Sequence, residues 1–161
     1  MPLIDQRLAL AGKYLPVRIR GETYGIRCDR IRGQAGMNEM LTRTDLSELV
    51  AGFITRRGRL IPVLDLHHSL AGGSVPPISI TILLVQSCSP EHPGLPVGLC
   101  VDAVGEAVEI SGHDIRVRAN YRHGEDGMPC LAKVCGRLGA LLDLDAIVAQ
   151  SIFGTAAGPA R

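Results

Sequence analysis

The sequence predicts a mainly β protein in which two related halves share one core. Short segments that alternate apolar and polar residues are more frequent than helical patterns. Two sequence patterns of the first half recur in the second half, in the same order. A chain of 161 residues also fits one domain, or two small subdomains with a common core. A pair of small β-barrels related by a pseudo-twofold axis agrees with all three observations.

The first predicted strand, at residues 14–20, shows the alternation most clearly. It places Leu15, Val17 and Ile19 on one face and two arginines on the other. A turn at Gly21 then leads into its hairpin partner. Further strands are expected at residues 23–31, 53–54, 60–66, 80–86 and 97–102, with a Pro/Gly-rich loop at residues 87–96.

Helical patterns are fewer, and two short helices are expected. Residues 44–52 carry an N-cap candidate, acidic residues in the first turns and a terminal glycine. Asp145 is expected to cap a final helix that runs to Phe153. The two prolines at residues 76–77 predict a stiff connector between the halves, and the tail at residues 155–161 is expected to be disordered.

An internal repeat relates the two halves. Residues 58–66 match residues 136–144, which lie 78 residues later, at six of nine positions. A second match at an offset of 73 relates Gly25, Ile26, Asp29 and Ile31 to Gly98, Leu99, Asp102 and Val104. Two matches at nearly the same offset indicate two copies of one β unit. Because each unit is too small to bury its own apolar face, the copies are expected to share a core.

Composition limits the classes of partner. A balance of 17 Lys+Arg against 16 Asp+Glu argues against a nucleic-acid binder, and five aromatic residues leave little material for base stacking. The apolar runs are too short to span a bilayer, and the first 13 residues contain no signal-peptide core. The five cysteines form no CxxC pair and are interpreted as reduced, buried thiols. We therefore expect a cytoplasmic protein without direct membrane insertion.

Enzyme signatures are absent from the sequence, which contains no P-loop, GxGxxG, GxSxG or HExxH motif. The five histidines lack the spacing of metal ligands, so no catalytic residue, metal or cofactor is expected. Asp65 and Asp143 end equivalent strands, where they are expected to accept backbone N–H groups. Two alternatives are a small-ligand or catalytic β-barrel that uses His67, His68 or a cysteine, and a scaffold that binds only its own copies.

The basic turn Arg56-Arg57-Gly58-Arg59 is the strongest candidate for a binding site. Val134 and Cys135 occupy the positions of Arg56 and Arg57 in the second copy. Because that copy folds without charge at these positions, one of the two arginines is expected to contact a partner. The alternative is that both arginines only solubilise the surface.

Four segments, in a fixed order, carry a resemblance to a known family. They are an opening strand that leads to Tyr24-Gly25-Ile26, then residues 50–66 (VAGFITRRGRLIPVLDL), residues 97–108 and residues 136–144. Together they resemble the CheW-like domain of bacterial chemosensory systems, over roughly residues 14–150. Residues 52–66 are the most specific part of the match.

The resemblance implies a fold of two interlocked, SH3-like, five-stranded β-barrels with short helices, including one at the C-terminus. It also implies a non-catalytic adaptor that couples a chemoreceptor's cytoplasmic tip to the regulatory domain of a histidine autokinase. Arg57, before the turn glycine Gly58, matches a family residue tied to partner binding. Ile31 and its second-half counterpart Val104 match apolar positions at the receptor-facing groove between the barrels.

The sequence departs from the family at Gly33, where many members carry an acidic residue, and at Arg56, which replaces an apolar residue. A divergent scaffold of a type IV pilus or surface-sensing pathway is therefore an alternative function. For domain organisation, we expect an N-terminal extension at residues 1–13, one CheW-like domain at residues 14–154 and a short tail.

Overall fold

The structure is a computed structural model that describes residues 9–19, 21–42, 50–65, 81–89, 92–117, 130–134 and 136–152. The first half of the chain contributes β1 (Gly12–Ile19), β2 (Glu22–Arg27), β3 (Ile31–Gly36), β4 (Leu41–Thr42), β5 (Val50–Arg56) and β6 (Arg59–Leu64). The second half contributes β7 (Thr81–Ser89), β8 (His92–Val101), β9 (Ala103–Val104), β10 (Val108–Ile110), β11 (Ile115–Val117), β12 (Cys130–Val134), β13 (Arg137–Leu141) and the helix α1 (Leu144–Ile152). The chain is thus mainly β, as predicted.

Strand β1 confirms the alternation predicted at the start of the chain. Val17 and Ile19 are buried in the central core while Arg18 is exposed, as predicted. The face that carries Arg18 is not wholly open to solvent, because Tyr14 and Pro16 on it are also buried. It pairs with β2 through an antiparallel hairpin that turns at Gly21, where φ is +84°. A glycine suits this turn because it adopts positive φ at little cost.

Two sheets with the same strand order make up the fold. The first runs β10-β1-β2-β13-β12-β11, with β9 also paired to β1, and the second runs β3-β7-β8-β6-β5-β4. When the two strand orders are aligned, β1 and β2 correspond to β7 and β8, and β13 and β12 correspond to β6 and β5. The two copies inferred from the sequence are therefore present as equivalent structural units.

The halves are interlocked, because each sheet takes strands from both. The hairpin β1-β2 of the first half is flanked by second-half strands, and the hairpin β7-β8 of the second half is flanked by first-half strands. The junction in each sheet is a short parallel pairing: Gly25 lies opposite Leu141, and Gly98 lies opposite Val63. These positions are equivalent in the two copies, so the exchange of strands is itself a repeated feature.

The core has three parts, which follow from this exchange. A central cluster lies between the sheets and includes Val17 and Ile26 from one sheet, Leu64 and Leu99 from the other, and Ile147 from α1. Two smaller clusters lie within the individual curled sheets. Tyr14 and Tyr24 are the aromatic side chains among the buried hydrophobic residues described, so the core is mostly aliphatic, as predicted.

The cap predicted for the final helix is wrong by two residues. Asp143, not Asp145, accepts the hydrogen bond from the Ala146 backbone N–H, at 3.1 Å. Asp143 thereby satisfies one of the unpaired N–H groups at the start of α1. This confirms the expectation that Asp143 accepts a backbone N–H group.

Asp145 instead lies in the first turn of α1, with 4% of its side chain exposed. Its carboxylate accepts hydrogen bonds from Arg30 Nη1 at 3.1 Å, Ser87 Oγ at 3.1 Å and the Cys88 backbone N–H at 3.0 Å. Since a buried charge is stable only when it is paired and hydrogen-bonded, this network ties α1 to β7 and to the turn before β3.

The loop predicted at residues 87–96 is also wrong. Strands β7 and β8 continue as one long hairpin, with Gln86 opposite Pro96 and Cys88 opposite Pro93. Two prolines are compatible with a strand here because this end of β8 extends beyond its parallel pairing with β6, which involves Gly98 and Leu99. The outer end of β8 is therefore an edge, where a missing N–H group costs little.

The helix predicted at residues 44–52 is wrong over its last three residues, which begin β5 and pair with β6. Gly52 lies against the Leu41 carbonyl of β4, a contact that leaves no room for a Cβ. Several predictions concern residues outside the described ranges: residues 44–49, Arg20, Leu66, the connector at 76–77, Ile80, Phe153 and the tail.

We predict that Gly98→Ala destabilises the fold by about 2 kcal/mol, because the core would be overpacked. The added Cβ would lie 2.8 Å from Ile82 Cγ2 and 3.2 Å from Val63 Cγ2. Chemical denaturation measures the free energy of unfolding. Gly105→Ala is the control: its Cβ would meet Pro16 Cγ at an ordinary 3.5 Å, and the expected change is within about 0.5 kcal/mol. Equal losses in both variants would contradict the account of the junction.

Candidate protein-binding site

The predicted basic turn lies at the tip of the hairpin formed by β5 and β6. Arg56 and Arg59 are the last cross-strand pair, and Arg57 and Gly58 form the turn itself, with φ of +52° and +76°. Two positive φ values match the twist of the flanking strands, so a two-residue turn is favoured. Gly136 occupies the same place in the second copy, with φ of +78°.

Arg57 is in an unfavourable backbone conformation. Among the described residues it is the one non-glycine with positive φ. A side chain in the left-handed region costs about 1 kcal/mol because Cβ approaches the following carbonyl. The side chain of Arg57 is exposed, and it forms no ion pair with the described part of the chain.

Arg56 differs from Arg57 because it has a partner within the chain. Its Nη1 donates to Glu39 Oε1 at 2.7 Å, and Glu39 Oε2 accepts from the Gly36 backbone N–H at 3.1 Å. The hydrogen bond from Arg56, followed by that from Gly36, lowers the pKa of the Glu39 carboxyl below its ordinary value. Glu39 therefore stays charged and holds the guanidinium of Arg56 at the side of the hairpin.

The hairpin forms one wall of a cleft with a volume of about 480 Å³. Four arginines line it, together with apolar residues that include Ile61 and Leu84. We call this surface the basic cleft and define it by Arg32, Arg56, Arg57, Arg59, Ile61 and Leu84. The structure thus brings the predicted residues Arg56 and Arg57 together with two further arginines.

Arg32 is the arginine of this cleft that the sequence did not single out. It follows Ile31 on β3, which pairs with β7 of the other half. Its Nε donates to Gln86 Oε1 at 2.8 Å, and its Nη1 donates to the Asp29 carbonyl at 2.8 Å. The repeat offers one signal for Arg32: at the offset of 73 its counterpart is Gly105, so the charge is specific to one copy.

Ile31 and Val104 occupy equivalent positions in the two sheets. Ile31 pairs with Val85 of β7, and Val104 pairs with Val17 of β1. Both side chains are half-buried and pack against the central core cluster. Val85 lines the basic cleft, but Ile31 itself does not. The structure therefore places Ile31 beside the basic cleft, on the strand that carries Arg32.

Val104 lines a second cleft, with a volume of about 260 Å³. Strand register relates this cleft to the basic cleft by the internal repeat, since Val134 pairs with Arg137 as Arg56 pairs with Arg59. We call it the second cleft; its lining includes Pro16, Val17, Arg18, Val104, Val134 and Arg137. It is mainly apolar, with two arginines.

The cysteines are not uniformly buried, which corrects the prediction from sequence. Cys88 is exposed, because the alternation along β7 turns Ser87 inward, toward Asp145, and Cys88 outward. Burial is the main cause that raises the pKa of the Cys100 thiol, to about 12, and it also raises the pKa of Cys28. A raised pKa favours the protonated thiol, which is the less nucleophilic form.

Other candidate chemistry is sparse in the described ranges. They contain no group of three or more His, Cys, Asp and Glu side chains that could hold a metal ion. His67 and His68, the residues of the alternative ligand-binding hypothesis, lie outside those ranges. Over the same ranges, no helix has the length and apolar character needed to cross a membrane.

Comparisons with known proteins agree with the fold. The family model of the CheW-like domain matches residues 13–151. The crystal structure of the scaffolding protein TtCheW from Thermoanaerobacter tengcongensis superposes with a TM-score of 0.68 and 21% sequence identity, covering 83% of this chain and 89% of that one. No curated protein matches the sequence. Since the family match extends over nearly the whole chain, this protein belongs to the CheW-like domain family.

Proposed function

We propose that the protein is a non-catalytic, cytoplasmic adaptor that couples a chemoreceptor to a histidine autokinase in bacterial chemosensory signalling. The observation that carries this proposal is the match to the CheW-like domain over residues 13–151. The structural neighbour is itself described as a scaffolding protein. A scaffold needs no reactive group, and it acts by raising the effective concentration of one partner near the other.

The duplicated architecture supports a role that requires two binding surfaces. The basic cleft and the second cleft occupy equivalent positions but differ in chemistry. A chain with two related but chemically distinct surfaces can hold two different partners at once. We assign the basic hairpin, at Arg57 and Gly58, to the kinase's regulatory domain. We assign the apolar positions Ile31 and Val104, which both pack against the central core cluster, to a receptor's helical tip.

Arg57 is the central contact in this proposal. Its conformation is unfavourable for the isolated chain, and the second copy pairs Val134 with Arg137 in the equivalent hairpin without an arginine at the matching sequence position. A residue that costs stability yet is present at an exposed tip is best explained by binding. The other proposed contacts, Arg56, Gly58, Ile31 and Val104, surround or support the same surfaces.

We predict that Arg57→Ala weakens binding to the kinase's regulatory domain by about 2 kcal/mol, or roughly thirty-fold, because an exposed arginine at an interface is often a hot spot. Isothermal titration calorimetry with the purified partner domain measures the affinity. Arg116→Ala is the control, since Arg116 is an exposed arginine on β11 and outside both clefts. Unchanged affinity of Arg57→Ala would contradict the assignment.

We predict that Arg57→Asn raises the melting temperature by about 2–4 °C, because asparagine tolerates positive φ better than arginine. The same variant should lose affinity for the kinase domain as Arg57→Ala does. Differential scanning calorimetry measures the melting temperature, with Arg116→Asn as the matched variant at a regular strand position. A lower melting temperature for Arg57→Asn would show that Arg57 stabilises the fold.

A further inference from the structure

Because the two clefts occupy equivalent positions in the two copies, their residues can be compared position by position. Val134, fully buried in the second copy, takes the position of Arg56, and Gly105 takes the position of Arg32. Arg137 is equivalent to Arg59, and both are exposed beside the turn glycine. Since the same fold forms around both clefts, the concentration of arginines in the basic cleft is not a requirement of the fold.

The arginines of the basic cleft also oppose folding electrostatically. Arg56 and Arg59 lie directly opposite each other at the end of the β5-β6 ladder. Like charges in this arrangement are destabilising, whereas the second copy places a valine opposite its arginine. Glu39 neutralises one of the four guanidinium groups, through its ion pair with Arg56. The positive charge that remains, on Arg32, Arg57 and Arg59, is suited to an anionic ligand.

Three guanidinium groups of the cleft have no carboxylate partner among the described residues. Arg57 and Arg59 are exposed, and Arg32 bonds to neutral acceptors only: the Gln86 side chain and two backbone carbonyls. Gln86 is held in turn, as its Nε2 donates to the Gly94 carbonyl at 3.1 Å. The guanidinium of Arg32 is thereby fixed in position while its charge is left available, which lowers the entropic cost of binding.

The apolar residues of the cleft lining indicate the class of ligand. Ile61 and Leu84 are apolar, and the described lining contains no aromatic side chain on which a base could stack. The overall net charge of +1 also lacks the basic excess of a nucleic-acid binder. An acidic peptide that also carries apolar residues can pair with the arginines and contact the apolar lining.

We propose that the basic cleft binds an acidic segment of a protein partner, whose carboxylates pair with Arg32, Arg57 and Arg59 and whose apolar side chains contact the half-buried Leu84. This inference rests on the proposed function, because it defines the chemistry of the partner surface that the hairpin contacts. Charge-assisted, bidentate bonds from guanidinium to carboxylate supply both affinity and orientation. The second cleft, being mainly apolar, is not expected to bind the same segment.

The test uses the full-length protein and a short, fluorescently labelled peptide of alternating Glu and Val residues. We expect binding, measured by fluorescence anisotropy, to weaken as salt is raised and to fall about tenfold or more in Arg32→Glu and in Arg59→Glu. Arg137→Glu is the matched control, because it makes the same change at the equivalent position of the second cleft and should leave the affinity unchanged. Circular dichroism verifies that each variant is folded.

Four results would overturn the inference. Equal loss in Arg59→Glu and Arg137→Glu would indicate attraction by overall charge. Equal affinity for a peptide of alternating Gln and Val would remove the role of the carboxylates. Binding of single-stranded RNA, but not of the peptide, would assign the cleft to nucleic acid. If the kinase domain binds through Arg57 while the acidic peptide fails to bind, the inference is wrong and the adaptor function stands.

Discussion

The fold depends on two short parallel pairings that join the halves of the chain. Gly25 opposite Leu141 and Gly98 opposite Val63 bring a hairpin of one half against strands of the other. Both glycines lie where a Cβ would meet a neighbouring side chain at 2.8 Å. The close approach buries the central core between the sheets. Each sheet is completed only by strands of the other half. The same exchange places Arg32 of β3 near Gln86 of β7, and so completes the basic cleft.

A second constraint attaches the C-terminal helix to this framework. Asp145 is nearly inaccessible to solvent, and its bond to Arg30 joins residues 115 positions apart in the chain. Ser87 and the backbone of Cys88 complete the environment of the carboxylate. Because removing one partner of a buried ion pair leaves an uncompensated charge, the helix is held specifically and not only by apolar contact. The helix in turn covers the central core with Leu144, Ile147 and Val148.

Much of the fold was predictable because the repeat is visible in the sequence. The alternation of apolar and polar residues predicts the core, and the glycines at the turns predict the hairpins. The internal repeat predicts that the glycines match between the two halves. Long-range contacts were not predictable: nothing local distinguishes Asp145, paired with Arg30, from Asp143, which caps the helix. Local composition also gave a wrong prediction at the prolines 93 and 96, which are typical of a loop but lie on the outer edge of a strand. For the site, the hairpin arginines were found, whereas Arg32 joins them only through strand exchange.

The central claim is that one chain holds two different partners at the same time. The most direct measurement immobilises the kinase's regulatory domain, adds the protein, and then adds a soluble cytoplasmic fragment of the receptor while surface plasmon resonance follows the bound mass. We expect the receptor fragment to be retained only when the protein is present, and to add to the mass of the bound protein. Release of the protein by the receptor fragment would show that the two partners compete for one surface, and would contradict the account.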